Sequence, residues 1–565
     1  MLPILASLLL ANVATTHAAA KPNVVLVMTD EQGYGDLRCL GNKIIRTPNL
    51  DKLYAESVRL TNYHVDPTCS PTRSALMTGR YSSRTGVWHT IMGRSMMATD
   101  ELTLAEVFAA NKYKTGFFGK WHLGDNYPLR PQDQGFQHVL MNGGGGVTQT
   151  PDYWDNDYFD DSYFRNGKPE KFTGYCTDIW FDNAMKFIED NREKPFFVYI
   201  PTNAPHGPFN VAAKYSDVYR KQGVPDAQAK FWGMITNIDE NVARLRKKLD
   251  ALKLSDNTIF IFTTDNGTAA GARGPKGFNA GMQGQKGSEY DGGHRVPFFI
   301  HWPAGGLTGG RDVNQLAAHI DVLPTLGELC ELELPSGGHP IDGMSLAPLL
   351  RSKNIDVPDR TILVHSQRIE KPVKWRKSAV MTNRWRFVNG KELYDMSVDP
   401  GQKTNVADKY PKVVKQLTGS YETWWKSIGT RFNDYVRISL GSKEESPAQL
   451  TCHDWHTNNG PVPWNHGHIR RDIKANGFWA VDVAVTGKYT VTLRTRPAHV
   501  KHPLNPGVAR VKIGNVESHA EIAEGATSVT LTLNLKKGPA RMQTWFEEAG
   551  GKTRGAYFVD VELVK

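Results

Sequence analysis

The sequence predicts an α/β protein with an all-β module appended at its C-terminal end, and three observations carry that reading. First, Asn23–Met28, Pro195–Ile200 and Thr258–Thr263 are continuous runs rich in apolar and β-branched residues. Such runs suit strands buried on both faces, as in a parallel sheet. Second, apolar residues recur every three or four positions in Thr47–Ala55, Leu102–Ala110, Thr177–Asn191 and Trp232–Asp250, which predicts helices around those strands. Third, Phe478–Val483, Tyr489–Arg494, Ser528–Leu533 and Tyr557–Leu563 alternate with period two between Gly-rich turns, which predicts a β-sandwich.

At 565 residues the chain is too long for one simple core. Residues 1–20 read as an export signal: Leu2 to Val13 is mostly apolar, and Ala18–Ala20 offers small residues for cleavage before Lys21. That segment predicts a secreted or periplasmic protein without stable membrane insertion. The net charge of +10 favours anionic partners such as a sulfated polysaccharide, but no Lys/Arg block or nucleic-acid module occurs, so nucleic acid is set aside. The cysteines are Cys39, Cys69, Cys176, Cys330 and Cys452. An odd count without Cys-x-x-Cys is neither a disulfide framework nor a zinc site, and any pairing stays open.

In chain order, the first strand runs into Thr29-Asp30-Glu31-Gln32, which places acidic residues where α/β sheets gather their ligands. Val58–Val65 predicts a strand leading into a loop around Cys69, with a helix starting in Ser74–Met77. A reactive group at such a junction gains from the positive helix N-terminus, which favours anions. Thr115–Phe118 predicts a strand, followed by Gly119-Lys120-Trp121-His122. There a lysine can stabilise charge and a histidine can move a proton. The strand at 195–200 ends in Thr202–His206, and that at 258–263 ends in Thr264-Asp265-Asn266-Gly267. Asp30, His206 and Asp265 therefore share one topological position. Gly143–Gly146 matches no dinucleotide fingerprint, and the aromatic, acidic insertion Tyr153–Asp161 has the character of a substrate loop. Lys286 precedes the strand Phe298–His301. Ile362–His365 and Trp385–Val388 predict strands of a smaller α+β unit with a helix at Val413–Ile428, and residues 441–450 read as a linker. The expected organisation is a catalytic α/β part over 21–355, an α+β subdomain over 356–440 and a β-sandwich over 450–565.

The stretch Pro67-Thr68-Cys69-Ser70-Pro71-Thr72-Arg73-Ser74-Ala75-Leu76-Met77-Thr78-Gly79 contains Cys-x-Pro-x-Arg followed by Thr-Gly. With Asp30, Gly119-Lys120-Trp121-His122, Asn203-Ala204-Pro205-His206, Thr264–Gly267, Lys286–Pro297 and Leu393-Tyr394-Asp395…Asp399-Pro400 in the same order, it resembles the type I sulfatase family over Asn23–Ala407. The resemblance implies an alkaline-phosphatase-like fold: a large mixed sheet flanked by helices, plus a small C-terminal α+β subdomain. It implies oxidation of Cys69 to formylglycine by a maturation enzyme. It also implies Ca²⁺, with Mg²⁺ as the alternative, held by Asp30, Glu31, Asp265, Asn266 and the residue at 69. In the implied reaction, a hydroxyl of the formylglycine hydrate attacks sulfur with Asp265 as base. His206 and Lys286 assist the leaving alcohol, Lys120 and Arg73 orient the hydrate, and His122 takes the proton that releases sulfate. The chain departs from the family pattern in Glu31 and Asp291, which stand where Asp and Glu are usual, and in Lys112, which replaces a common Gly.

The expected function is hydrolysis of O-sulfate esters on a sulfated carbohydrate. The alternatives are a phosphoester or phosphonate hydrolase of the same superfamily, and a non-catalytic glycan-binding protein. Arg84, Trp88, His89, Tyr153, Trp154, Asp157 and His294 are the expected substrate contacts, from loop position.

Overall fold

The computed structural model describes residues 21–352, 355, 359–548 and 551–564. The expected export signal lies outside the described residues. Among them, no helix is long and apolar enough to cross a membrane.

A ten-stranded mixed sheet forms the centre. Its strands lie in the order Asp312–Val313, Val58–Leu60, Phe298–His301, Thr258–Thr264, Asn23–Thr29, Phe196–Pro201, Lys114–Lys120, His138–Asn142, Ser162–Arg165 and Lys168–Lys171. The middle of this sheet is parallel, with Asn23–Thr29 between Thr258–Thr264 and Phe196–Pro201 and with Lys114–Lys120 next out. Alternation along the strands explains the continuous apolar runs. Val24, Leu26 and Met28 enter one core, with Leu76, Phe108 and Leu326. Val25 and Val27 enter the other, with Trp180, Phe187 and Ile238. Each such side chain contributes about 1.5–3 kcal/mol when fully buried. A strand that must satisfy both cores has no room for a polar residue until it ends, so the polar residues of four parallel strands collect at one edge.

Two expectations change near Cys69. The predicted strand Val58–Val65 is two strands: Val58–Leu60 joins the large sheet, while Tyr63–His64 pairs with Ala317–Ala318. The helix begins at Cys69 and runs to Thr78, with all ten residues buried. Pro71 lies in the first turn, where a residue has no intrahelical N–H bond to lose, so it is compatible with the earlier start. Cys69 is therefore the first helical residue.

The smaller α+β unit is an antiparallel sheet of Ile362–His365, Ser378–Met381, Trp385–Val388 and Glu392–Asp395. The helix Pro411–Ile428 covers it with Leu417, Tyr421, Trp424 and Ile428. Beyond it, two sheets face each other. One contains Ile438–Leu440, Phe478–Val483, Gly538–Glu548, Gly507–Ile513 and Val516–Glu521, with Lys552–Arg554 beside Gly538–Glu548. The other contains Ala448–Thr451, Phe558–Leu563, Gly487–Arg494 and Val529–Leu535. Strand structure thus begins before the expected start of this part, and the expected linker ends inside a strand. Met96 and Leu129 of the N-terminal part join the core between these sheets.

Gly119 shows how tightly the parallel strands approach beside the site. Its φ is +138°, and an added Cβ would lie 1.9 Å from the Pro201 carbonyl oxygen. Gly119→Ala is therefore expected to destabilise the protein by about 2–4 kcal/mol, from a disfavoured φ plus a backbone collision. Denaturant unfolding measures this; a wild-type midpoint would show that the strands can part there.

Candidate active site

The carboxyl ends of the four parallel strands carry Asp30, Asp265, His206 and Lys120 to one place. Lys120 is the last residue of its strand, and Asp30 and Asp265 follow directly on theirs. Two backbone bonds lock the acidic turns to their neighbours: Asp30 N–H donates to Ala204 O (3.2 Å) and Asp265 N–H to Thr29 O (3.1 Å). Glu31 and His122 both have φ near +65°, at 68° and 65°. This conformation is costly for side-chain residues and tends to occur at functional sites.

Charges of both signs are buried together. Lys120 Nζ donates to Asp30 Oδ2 at 2.6 Å. Arg73 Nη2 and Nε donate to Asp265 Oδ2 at 2.7 and 3.1 Å, and its Nη1 donates to Lys120 O at 2.9 Å. Burial alone would raise both acids. Lys120, His206, Arg73 and Lys286 together more than offset it at Asp30, which is held below the usual carboxylate range. Asp265, beside the ionised Asp30, is pushed up to about 7, by burial first and then by that neighbour. Burial also pushes the Cys69 thiol up to about 12. Such a thiol is almost wholly protonated at neutral pH and is a poor nucleophile there.

One side of this assembly has the donor set of a cation site. Atoms of Asp30, Cys69 and Asp265 lie within 4.8 Å of one another, all three residues buried. Asp30 Oδ1 and Asn266 Oδ1 are buried without a hydrogen-bond partner, while the Asn266 amide nitrogen donates to Gly267 O. Buried oxygens without partners are costly, and a hard cation satisfies them. These residues fit a divalent ion. Glu31 stands outside this group. Its backbone N–H donates to Asp265 Oδ1 (3.0 Å), and its carboxylate pairs with His206 Nε2 (3.0 Å) and with Lys286.

The proton-transfer candidates flank the opposite side. His206 Nδ1 faces Gly207 O at 2.6 Å, leaving Nε2 toward Glu31. His122 Nε2 faces Thr90 O at 2.8 Å, and its Nδ1 is buried without a partner. Burial lowers both imidazoles, so both favour the neutral form. Lys286 is brought down to about 8, chiefly by burial. Its loop is tied to the Cys69 segment by Gly287 N–H to Pro67 O, 2.8 Å.

The glycine run has its explanation here. An added Cβ at Gly145 would lie 2.1 Å from the His122 ring, and one at Gly146 would lie 3.2 Å from His206 Nδ1. Bare backbone therefore runs against both imidazoles. Further supports escaped the sequence reading. Tyr158 Oη donates to His206 O (2.7 Å) and Asn203 O (3.2 Å), so the long insertion braces the histidine turn. Gln149 Oε1 accepts from Gly145 N–H (2.8 Å) and faces His453 Nε2 (3.2 Å), and the His453 ring lies 6.1 Å from that of His122. His453 stands more than 300 positions beyond His122 and carried no local signal.

The expected substrate contacts do not gather into one surface. Arg84 forks onto Asp342 (3.0–3.1 Å) and Ser427. Trp88 is buried, with its indole N–H on Ile369 O and the Arg94 guanidinium 4.6 Å above its ring. His294 is buried with Nδ1 2.9 Å from His64 Nδ1. Trp88 and His294 are interior, and the half-buried Arg84 is held by protein partners. His89 is buried, and burial with Arg368 nearby lowers it to about 3. Tyr153 stacks on His499, and Trp154 lies against His466 and under Arg470. Both line a cleft of about 270 Å³ against the C-terminal sheets, whose walls include neither Asp30, Cys69 nor His206. Asp157 is exposed and accepts from Phe159 N–H.

A mixed sheet flanked by helices, with acids, an arginine, a lysine and a histidine around one buried residue at its strand ends, defines a hydrolase of the alkaline-phosphatase-like superfamily. Residues 22–332 match the family model described as Sulfatase, and residues 285–425 match that described as N-sulphoglucosamine sulphohydrolase, C-terminal. The chain belongs to the sulfatase family, and its activity is that of a sulfuric ester hydrolase. It is 29% identical over 425 residues to an ulvan-active sulfatase of Formosa agariphila, covering 69% of this chain and 78% of that one. It is 31% identical over 377 residues to human arylsulfatase A, covering 61% and 70%. Among solved structures, Ps i-CgsB in complex with k-i-k-neocarrahexaose superimposes with a TM-score of 0.66 at 26% identity, covering 74% of this chain and 95% of that one.

Because bare backbone runs against His122, Gly145→Ala is expected to lower kcat on an aryl sulfate about 100-fold through a misplacement of the order of 1 Å. Steady-state kinetics, with a thermal melt as folding control, checks this. Unchanged kcat in folded protein would show that the ring position is uncritical.

Proposed function

We propose that this protein hydrolyses O-sulfate esters of a sulfated carbohydrate, with the residue at 69 acting as a formylglycine made from Cys69. The observation that carries the reading is the state of Cys69 itself. It starts a helix, is surrounded by Arg73, Lys120, Asp30 and Asp265, and has a thiol that burial makes unreactive. A residue so placed has the surroundings of a nucleophile but not the acidity of one, which suits conversion to another group. A formylglycine hydrate supplies a hydroxyl nucleophile that can afterwards return to the aldehyde. A Ca²⁺ or Mg²⁺ ion held by Asp30, Asp265, Asn266 and residue 69 supplies positive charge for the sulfate oxygens. The apolar residues near the N-terminus support export, and relatives acting on ulvan or bound to a carrageenan oligosaccharide support a glycan substrate.

The chain's own residues then divide the remaining tasks. Arg73, fixed on Asp265 and on Lys120 O, holds that carboxylate where it can accept the attacking hydroxyl's proton. Lys120, fixed on Asp30, keeps positive charge beside residue 69. His206 Nε2, which faces the Glu31 carboxylate at the mouth of the site, is the nitrogen that delivers a proton to the leaving oxygen once the ring is protonated. Lys286, on the same side, offsets the negative charge that develops on that oxygen. His122 has a buried Nδ1 free to take a proton while Thr90 O holds its Nε2. Glu31 lies between His206 and Lys286 and pairs with both, so it holds their positions.

Two measurements test this. A sulfate ester and a phosphate ester with the same leaving group should be hydrolysed with sulfate strongly preferred; phosphate turnover far above sulfate turnover would overturn the reading. His206→Gln should lower kcat by about 10²–10⁴-fold on a sugar sulfate, whose alkoxide leaves poorly, and much less on 4-nitrophenyl sulfate. Equal losses on both would remove His206 as the acid.

A further inference from the structure

The groups deepest in the site are sealed, and its mouth lies on the side of His206 and Lys286. Their side chains are 16% and 19% exposed, against 0% for Asp30 and Lys120. Whatever carries the reacting sulfate therefore extends outward past Lys286. Arg368 lies beside the Lys286–Gly287 segment. Its backbone N–H donates to Trp88 O (3.2 Å), and a Cβ added at Gly287 would lie 3.9 Å from its Nη1. Gly287 follows Lys286 directly and is bonded to Pro67, two residues before Cys69. Arg368 also adds to the field that lowers Lys286 and His89.

Arg368 opens a strongly basic stretch, Arg368-Ile369-Glu370-Lys371-Pro372-Val373-Lys374-Trp375-Arg376-Lys377. Its one acid is turned inward: Glu370 is buried and held by Arg94 (3.0 Å) and His456 (3.1 Å). Lys374 pairs with Glu422. Arg368, Lys371, Arg376 and Lys377 are exposed and pair with no carboxylate among the described residues. Lys377 Nζ reaches only the Gly287 carbonyl oxygen (3.4 Å), on the same segment that Arg368 overlies. Like charges held together without a counter-ion cost free energy, which an anionic ligand recovers.

We infer that Arg368, with the basic stretch behind it, forms an anion subsite at the mouth of the catalytic pocket. It binds a second anionic group, a sulfate ester or a uronate carboxylate, on the sugar next to the one being desulfated. This rests on the proposed function and narrows it: the substrate class is a polyanionic glycan, not an isolated sulfated sugar. A guanidinium suits either anion through two parallel N–H···O bonds.

The test compares three oligosaccharides that share one target sulfate: one with no second anion, one with a second sulfate and one with a uronate on the adjoining sugar. Wild type should prefer at least one dianionic form by about 10- to 100-fold in kcat/KM, the range of a lost charge-assisted bond. That preference should shrink with added salt. Arg368→Ala should bring the ratio toward one, and Arg368→Lys should restore part of it. A gain from sulfate alone, or from either anion, identifies which group the subsite takes. Equal kcat/KM on all three in wild type, or a preference that survives Arg368→Ala, would overturn the subsite. Calorimetric binding of the disulfated oligosaccharide to Cys69→Ala protein, with and without Arg368→Ala, gives a readout free of turnover. If wild type hydrolyses no sulfate ester, the proposed function falls, and the calorimetric comparison still decides the subsite.

Discussion

The structure depends on one constraint: two carboxylates, Asp30 and Asp265, are buried at adjacent strand ends and cannot both stay charged without compensation. Lys120 and Arg73 provide it, each from a different element and each with the geometry of a direct ion pair. Buried charges without partners are among the most destabilising features a fold can contain. The two pairs tie the ends of Asn23–Thr29 and Lys114–Lys120, which Phe196–Pro201 separates, and hold the helix of Arg73 against the end of Thr258–Thr264. Asp30 Oδ1 and Asn266 Oδ1 are left without hydrogen-bond partners in the same arrangement.

The C-terminal sheets are part of this economy of position. His453 faces Gln149, which holds Gly145 against His122, and Arg94 binds Glu370, which also holds His456. Three regions of the chain thus meet around the catalytic side. The sandwich helps hold the glycine run between the two histidines, whatever else it contacts.

Much of this was legible in the sequence because buried parallel strands leave a plain trace. Asn23–Met28 and Thr258–Thr263 can only satisfy two cores, so the sequence places their ends and puts Asp30, His206 and Asp265 at one edge. The sandwich strands are readable from a different trace, their period-two alternation, and the large mixed sheet is what the family resemblance implies. The start of the Cys69 helix is not legible, because the apolar run that marks it begins only at Ala75, while the first turn, Cys69 to Thr72, carries no helical periodicity. Arg84, Trp88 and His294 have protein partners that loop position does not reveal, because a polar or aromatic residue on a loop looks identical whether it faces a ligand or an internal partner. Gly145, Tyr158 and His453 act through contacts made across long sequence separations, and no local pattern encodes those. Glu31 was visible as a departure, but its pairing with His206 and Lys286 required the left-handed turn that only the backbone reveals.

The account turns on residue 69 being a precursor, set among charges that would serve a nucleophile while its own thiol stays protonated. Mass spectrometry of the peptide containing residue 69, taken from protein whose sulfate-ester turnover has been measured in the same preparation, tests this most directly. The account predicts an aldehyde at position 69, trapped by hydrazide, in a fraction that rises with specific activity. Full activity from protein in which residue 69 is entirely intact cysteine would contradict it.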